Sequence, residues 1–389
     1  MTLEPNKQPK VLICVDWFVP GYKAGGPIQS CKNLVLALKD SVDFYILTSN
    51  VDWGETQPYP DITPNVWLKF DQTIPIYYAS KGSLNLKKFE EIIKEVRPDV
   101  IYLNSMFSVR YTIFPLLLKW RNKIPDATRI ILAPRGMLQP GALSLKPLKK
   151  SIYLKLFKWM GLPKLIEFHA TDKLESERIL KVFPGSKKIH VIGNFPEQKP
   201  IPHKDIVKIP GKLKLVYASR ISKEKNLDFI FEILLAKNYE GEIELIIAGQ
   251  VNDGEYYQKC REMADKLPDN IKAKFLGPIP HDYLVEWLQS AHYFVLPTFG
   301  ENFGHSIFEA FLAGRPVIIS DRTLWKGLEQ KSVGWDIPLD NKNQWIEVID
   351  KILRQDQKEF DAMAGKSRNF AINFRNAHEN REQYLSLFL

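Results

Sequence analysis

A rhythm of short apolar runs and longer amphipathic runs, begun twice along the chain, restricts the possible folds more than any other feature. KVLICV (10–15), DFYILT (43–48), DVIYLN (99–104), RIILAP (129–134) and KLIEFHAT (164–171) are short and apolar nearly throughout. Helical spacing fills the intervals near 27–39, 85–96, 109–121, 145–159 and 172–182. Strands apolar on both faces and separated by helices require a parallel sheet covered on both sides. The order then restarts with KLKLVYAS (212–219), IELIIAG (243–249), AKFLG (273–277), HYFVLP (292–297) and RPVIIS (315–320). Helices fit near 226–237, 254–266, 281–290, 305–313, 343–353 and 356–386. PEQKPIPHKDIVKIPG (196–211), rich in proline and lysine, reads as the linker between two domains. Two such α/β units predict a cleft between them, with the carboxyl ends of the strands facing it.

A length of 389 residues suits two domains, and 45% hydrophobic with 25% charged residues is the composition of a soluble globular protein. The opening MTLEPNKQPK is polar and has no apolar core of a secretory leader. No apolar stretch reaches membrane-spanning length. The expected location is therefore cytoplasmic. Cys14, Cys31 and Cys260 lie far apart without metal-ligand spacing.

The net charge of +9 is unevenly placed. No acid falls between Asp126 and Glu167, a stretch holding Arg129, Arg135, Lys146, Lys149, Lys150, Lys155, Lys158 and Lys164. Its segment KPLKKSIYLKLFKWMGLPKL (146–165) is basic and amphipathic. It suits an anionic membrane face, or equally a helix packed on the sheet with its cations outward. Nucleic-acid binding has only the charge in its favour, because no reading motif accompanies it.

The richest stretch is LPTFGENFGHSIFEAFLAGRPVIIS (296–320). A strand ends at Pro297, a loop runs from Gly300 to Gly304, and a helix starts near His305. Free N–H groups at a helix start, reinforced by the dipole, make an anion site. Glu309 lies inside the helix, too far along to cap it, and is better placed to accept from hydroxyls such as a ribose diol.

This pattern, two glutamates spaced as in GEnFGxxxxEAxxxGxPVI, resembles the signature of retaining GT-B glycosyltransferases of family 4. The resemblance implies two Rossmann-like domains with parallel sheets facing a central cleft. Domain bounds of 1–198 for acceptor binding and 199–370 for nucleotide-sugar binding follow from it. A final helix at 371–389 would return to the first domain. By the same resemblance Glu301 faces the donor sugar, Glu309 holds the ribose, and amides of Asn302, Phe303, Gly304 and His305 meet sugar and diphosphate. YASRISKEKNLDFI (217–230) is similar to the family's G-R-x-x-x-x-K element, with Ser219 in place of glycine. Arg220 and Lys225 would neutralise the leaving diphosphate. In VPGYKAGGPIQS (19–30), Gly25 and Gly26 open a helix and correspond to the family's glycine pair over the diphosphate. Pro278 and Ile279 of GPIPHDYL would receive the base, and Gly249 belongs to the same edge.

Three further residues are candidates for the acceptor or the cleft. Asp16 is read as an acceptor contact or a turn former. Arg135 stands in APRGM where the family shows a histidine, and would reach a phosphate or an anionic acceptor. His169 ends a strand, and Glu175 or Glu177 after it would help form the cleft.

The implied reaction moves a sugar from a nucleoside diphosphate to a glycan or lipid-linked acceptor, with retention and by front-face attack. The setting expected for it is surface-polysaccharide assembly, as O-antigen, capsule or exopolysaccharide. No metal or other cofactor is expected, and no Asp-x-Asp pair suited to a metal occurs. A GT-B epimerase or hydrolase acting on sugar nucleotides is the alternative. A dinucleotide oxidoreductase fits less well, because the first loop lacks G-x-G-x-x-G.

Overall fold

The structure, a computed structural model, describes residues 8–144, 146–186, 188–377 and 380–389. The polar opening residues 1–7, where a leader would begin, lie outside that range. The chain forms two compact units, Met1–Phe195 with Glu379–Leu389, and Pro196–His378.

The first unit is built on strands β1 (Lys10–Cys14), β2 (Asp43–Ser49), β3 (Trp67–Phe70), β4 (Ile74–Ala79), β5 (Val100–Leu103), β6 (Arg129–Leu132), β7 (Glu167–Ala170) and β8 (Ile189–Val191). Their order is β3-β4-β2-β1-β5-β6-β7-β8, parallel except for β3 against β4. Side chains alternate across the sheet, as a pleated strand requires. Leu12 and Cys14 enter one apolar cluster with Phe89, Ile101 and Phe168. Val11, Ile13 and Val15 enter the other, which Tyr384, Leu387 and Phe388 of the terminal helix Asn380–Phe388 complete. All three cysteines are free and buried, as small hydrophobes.

The second unit holds β9 (Lys212–Ala218), β10 (Glu242–Ala248), β11 (Ile271–Gly277), β12 (Tyr293–Leu296), β13 (Val317–Ser320) and β14 (Gly334–Ile337). Their order is β11-β10-β9-β12-β13-β14, and every pair is parallel. The chain leaves β9 toward β10 and β11, then returns to β12 on its other side. The direction of travel across the sheet thus reverses between β9 and β12, the place where such sheets bind ligands.

Several elements differ from the sequence reading. Strands β3, β4, β8 and β14 go beyond it. β3 and β4 form a hairpin whose turn places Asp71 and Gln72 at φ 47° and 65°, the left-handed geometry of a tight hairpin. The helix expected over 109–121 opens with a wide π turn, Val109–Ile113, before the α-helix Phe114–Trp120. Pro115 has no N–H to give residue 111, which removes one α-type bond at that place. The helix expected over 356–386 is two, Gln357–Asn376 and Asn380–Phe388, with residues 378 and 379 outside the described range.

The segment read as a linker is part of the second unit. Ile201 is in its core, and Arg315 Nη2 donates to the Lys204 carbonyl at 2.7 Å. Lys208 is buried, and its ammonium donates to the carbonyls of Ile209, Leu353 and Gln355 at 3.1, 3.1 and 3.0 Å. Burial lowers its pKa to about 8. A proline-rich composition reveals irregular backbone, and says nothing of whether that backbone is tied down.

Candidate functional site

At the junction of β9 and β12 two loops meet. After β9, Ser219 to Ser222 lead into a single 3₁₀ turn, Lys223–Lys225. Tyr217, fully buried, supports that turn from below by donating to the Lys225 carbonyl at 3.3 Å. After β12, Thr298 Oγ1 accepts from Gly300 N at 3.1 Å and shapes the second loop. The Phe299 N–H donates to the Glu224 carbonyl at 2.9 Å, joining the two.

Lys225 and Glu301 are brought together. Lys225 is 5% exposed, and its ammonium stands 2.8 Å from Glu301 Oε1 and 3.0 Å from the Gly300 carbonyl. Arg220 is exposed on the same loop, and no hydrogen bond from its guanidinium occurs among those described. One acid against two cations leaves this corner a net positive charge. Gly304 sits at φ 76° as the residue before helix His305–Leu312, with no side chain capping that helix start. A Cβ on Gly304 would stand 2.7 Å from Ile307 Cδ1. Glycine is thus favoured there by its dihedral, while a Cβ would only push the end of the Ile307 side chain aside. The arrangement offers backbone N–H groups, a helix dipole worth about 0.3–1 kcal/mol, and two cations to one anionic ligand.

Phe303 and Gly249 play structural parts in this geometry. The Phe303 ring is 5% exposed within a cluster with Phe308, Trp325 and Phe374, and its carbonyl accepts from Trp325 Nε1 at 2.7 Å. Only its N–H is left for a ligand. Gly249 has φ 153°, and a Cβ there would fall 1.8 Å from the Ser219 carbonyl oxygen. It lets β9 and β10 approach at their ends, while its N–H donates to the Gly277 carbonyl at 2.9 Å, beside Pro278 and Ile279. Pro278 and Ile279 are half-buried, and so are Asn302 and His305.

Glu309 is 2% exposed, one turn into its helix. Its Oε1 lies 3.0 Å from Nε2 of His281, the first residue of helix His281–Ser290. Glu197 Oε2 lies 3.9 Å from the same nitrogen, and Glu197 is also 2% exposed. The sequence reading names neither His281 nor Glu197. Ligand-type atoms of these three residues lie within 4.8 Å of one another, close enough to share a cation.

In the first unit, the residue pair Gly25 and Gly26 starts helix Gly26–Leu38, with Gly25 at φ 67° and Pro27 in the first turn. A Cβ on either would meet nothing within 4 Å. Asp16 follows β1 and accepts from Ser108 Oγ at 2.7 Å. Burial raises its pKa, opposed by its hydrogen bonds and by Arg110. Arg110 also lines a cavity of about 170 Å³ with Ser49, Glu55, Ser80, Lys81 and Tyr111.

Arg135 and His169 differ from their expected roles. Arg135 occupies the left-handed region at φ 54°, which turns its side chain inward. Its guanidinium donates to Asn104 Oδ1 (2.9 and 3.1 Å), Tyr102 Oη (2.9 Å) and Asn194 Oδ1. His169 is fully buried. Its Nε2 faces the Ile192 carbonyl at 2.9 Å and its Nδ1 the Tyr102 hydroxyl at 2.6 Å. A carbonyl only accepts, so Nε2 carries the proton and Nδ1 accepts from Tyr102. Burial, with the Arg135 charge second, lowers the His169 pKa to about 3 and keeps it neutral. No ring nitrogen remains for a ligand. Glu175 is likewise internal. It accepts from Gly136 N at 2.6 Å and Thr171 N at 2.7 Å and fixes the turn that carries Arg135.

Residues 198–370 match the family described as Glycosyl transferases group 1. A likeness over the whole chain extends to HepE of Anabaena, solved with UDP and glucose. The TM-score is 0.69 at 14% identity, over 98% of this chain and 99% of that one. WaaG, a glycosyltransferase involved in lipopolysaccharide biosynthesis, aligns with TM-score 0.64 at 14% identity over 97% and 99%. A curated relative, the 2-deoxystreptamine N-acetyl-D-glucosaminyltransferase of Niallia circulans, is 28% identical over 109 residues. That match spans 28% of this chain and 27% of the relative's length. The fold is GT-B. Residues 198–370 form a domain that matches the group 1 glycosyl transferases.

Proposed function

We propose that this protein transfers a sugar from a nucleoside diphosphate sugar to a glycan or lipid-linked acceptor, with retention, in the manner of family 4. The observation that carries the reading is the Lys225–Glu301 pair beside Arg220, at the Gly304 helix start and the β9/β12 junction. Charge develops on the leaving diphosphate. Fixed cations and N–H groups aimed at it stabilise the transition state without reorganisation. Glu301, its charge partly met by Lys225, faces the donor sugar, and Glu309 accepts from the ribose. In a front-face transfer the departing diphosphate oxygen takes the acceptor's proton as the new glycosidic bond forms on the face the diphosphate leaves. The reaction needs no metal.

The acceptor's place in this reading is the first unit, where Asp16 and the cavity at Arg110 offer hydroxyl and charge contacts. Helix Pro147–Trp159 presents Leu148 (74% exposed), Ile152, Leu156 and Trp159 (82% exposed) to solvent among its lysines. None of the described helices is long and apolar enough to cross a membrane. That ridge suits the inner face of an anionic membrane, where lipid-linked acceptors of surface-polysaccharide assembly reside.

The test is a thermal-shift panel of nucleoside diphosphates and their sugars, followed by product analysis. At least one nucleoside diphosphate should stabilise the protein, Glu309→Ala should weaken the effect, and NMR should find the donor's anomeric configuration kept. Turnover should persist in EDTA. If no nucleotide binds at millimolar concentration, the reading fails.

A further inference from the structure

We infer that His281, backed by Glu197, is a positioning residue that aims Glu309 at the ribose of the donor; this rests on the reading of Glu309 as the ribose-binding carboxylate. Glu309 is almost fully buried, and a buried carboxylate without a fixed partner is costly and poorly oriented. Among the described residues its ion pair is with His281, at 3.0 Å from Oε1. At that distance the two make an ion-pair contact whose geometry is not that of a formed hydrogen bond, and a proton on Nε2 is what makes the approach favourable. The contact leaves Oε2 as the oxygen that accepts from a diol.

His281 is itself held. It opens its helix directly after Pro280, whose ring fixes the local backbone. Glu197 Oε2 stands 3.9 Å from the same Nε2, and Glu197 Oε1 accepts from the Lys199 N–H at 3.0 Å. A carboxylate anchored by backbone therefore flanks the imidazole, and the imidazole anchors the carboxylate that meets the ligand. Outer partners of this kind set the aim of the contacting group without touching the ligand.

The readout is discrimination between ribose and its deoxygenated form. UDP and 2′,3′-dideoxy-UDP, with the ADP pair alongside, are titrated calorimetrically into the full-length wild type, His281→Ala, His281→Gln and Glu309→Gln. Wild type should prefer the ribonucleotide by roughly 10–100-fold. His281→Ala should reduce that ratio about tenfold while leaving dideoxynucleotide affinity unchanged, and His281→Gln, which restores a donor, should recover much of it. A merely structural loss would weaken both ligands together and leave the ratio alone. If His281→Ala keeps the wild-type ratio while Glu309→Gln abolishes it, the inference falls and the ribose reading stands. If Glu309→Gln also keeps the ratio, the ribose reading falls and the inference with it. A wild-type ratio that changes with EDTA or added Zn²⁺ would make the three side chains metal ligands and overturn the positioning role.

Discussion

Two strand–loop–helix junctions carry Gly304 and the Gly25–Gly26 pair, and the space around those glycines differs. After β12, Gly304 is favoured from within, because its φ of 76° is left-handed and a Cβ would press on the end of the Ile307 side chain. After β1, Gly25 and Gly26 border open space, with nothing within 4 Å of where a Cβ would stand. Charge divides the same way. The second unit gathers Arg220, Lys225 and Glu301 at its loop, whereas the first ties Arg135, His169 and Glu167 into closed networks. The crowded glycine shapes the helix start from which N–H groups reach a ligand, the open pair leaves room beside the backbone, and a cation in excess over the acids beside it points toward an anion more strongly than a closed network does.

The largest expected effect breaks the charge half of this comparison. Arg220→Ala should lower turnover by roughly 10²–10³-fold, about 3–4 kcal/mol of transition-state stabilisation, with Tm unchanged because the side chain is exposed. Lys225→Met should lose similar activity and also lower Tm, because it leaves Glu301 without its cation. Initial rates beside a melting curve separate the two.

Next comes acid stability of the first unit. Burial pushes the Glu167 carboxyl up, but hydrogen bonds from Arg129, His190 and Lys188 outweigh it and hold the pKa at about 2. The depressed value means stability fully present above the unfolded pKa near 4.5 and lost as pH falls toward 2, about 2–3 kcal/mol in all. The Tm of wild type should therefore drop more steeply between about pH 5 and pH 2.5 than that of Glu167→Gln.

The smaller effects test the glycines. Gly304→Ala should destabilise by about 1–2 kcal/mol from its backbone angle alone, seen as a lower midpoint in urea. Gly26→Ala, at the first helical position with free space, should leave stability within about 1 kcal/mol or raise it. Nucleotide-sugar turnover should nevertheless fall in Gly26→Ala. Unchanged turnover would show that this loop is only a turn.

The sheets, the GT-B class and the β12 junction are legible in the sequence because each rests on local pattern: β-branched runs, helical spacing, and a glycine loop with two glutamates. Glu301 and Lys225 stand in separate motifs, and folding brings them to 2.8 Å. The inward network of Arg135 is not legible, because an arginine after a strand gives no sign of a left-handed backbone that turns it toward Tyr102 and Asn104. His281 lies within GPIPHDYL without standing out, since its meaning comes from Glu309, 28 residues later, and from Glu197 in a segment that reads as a tether. Strand β8 has three residues and β14 begins with glycine, too little for periodicity to register.

The terminal helix Asn380–Phe388 has a consequence for how the protein is made. Tyr384, Leu387 and Phe388 close an apolar cluster otherwise built from side chains between Val11 and Phe195. Those three side chains lie beyond the whole of the second unit in sequence, so they are made only after it. The half of the molecule that emerges first is thus the half completed last, and until residues 380–388 arrive the apolar cluster that helix Gly26–Leu38 covers in part stays open on one side.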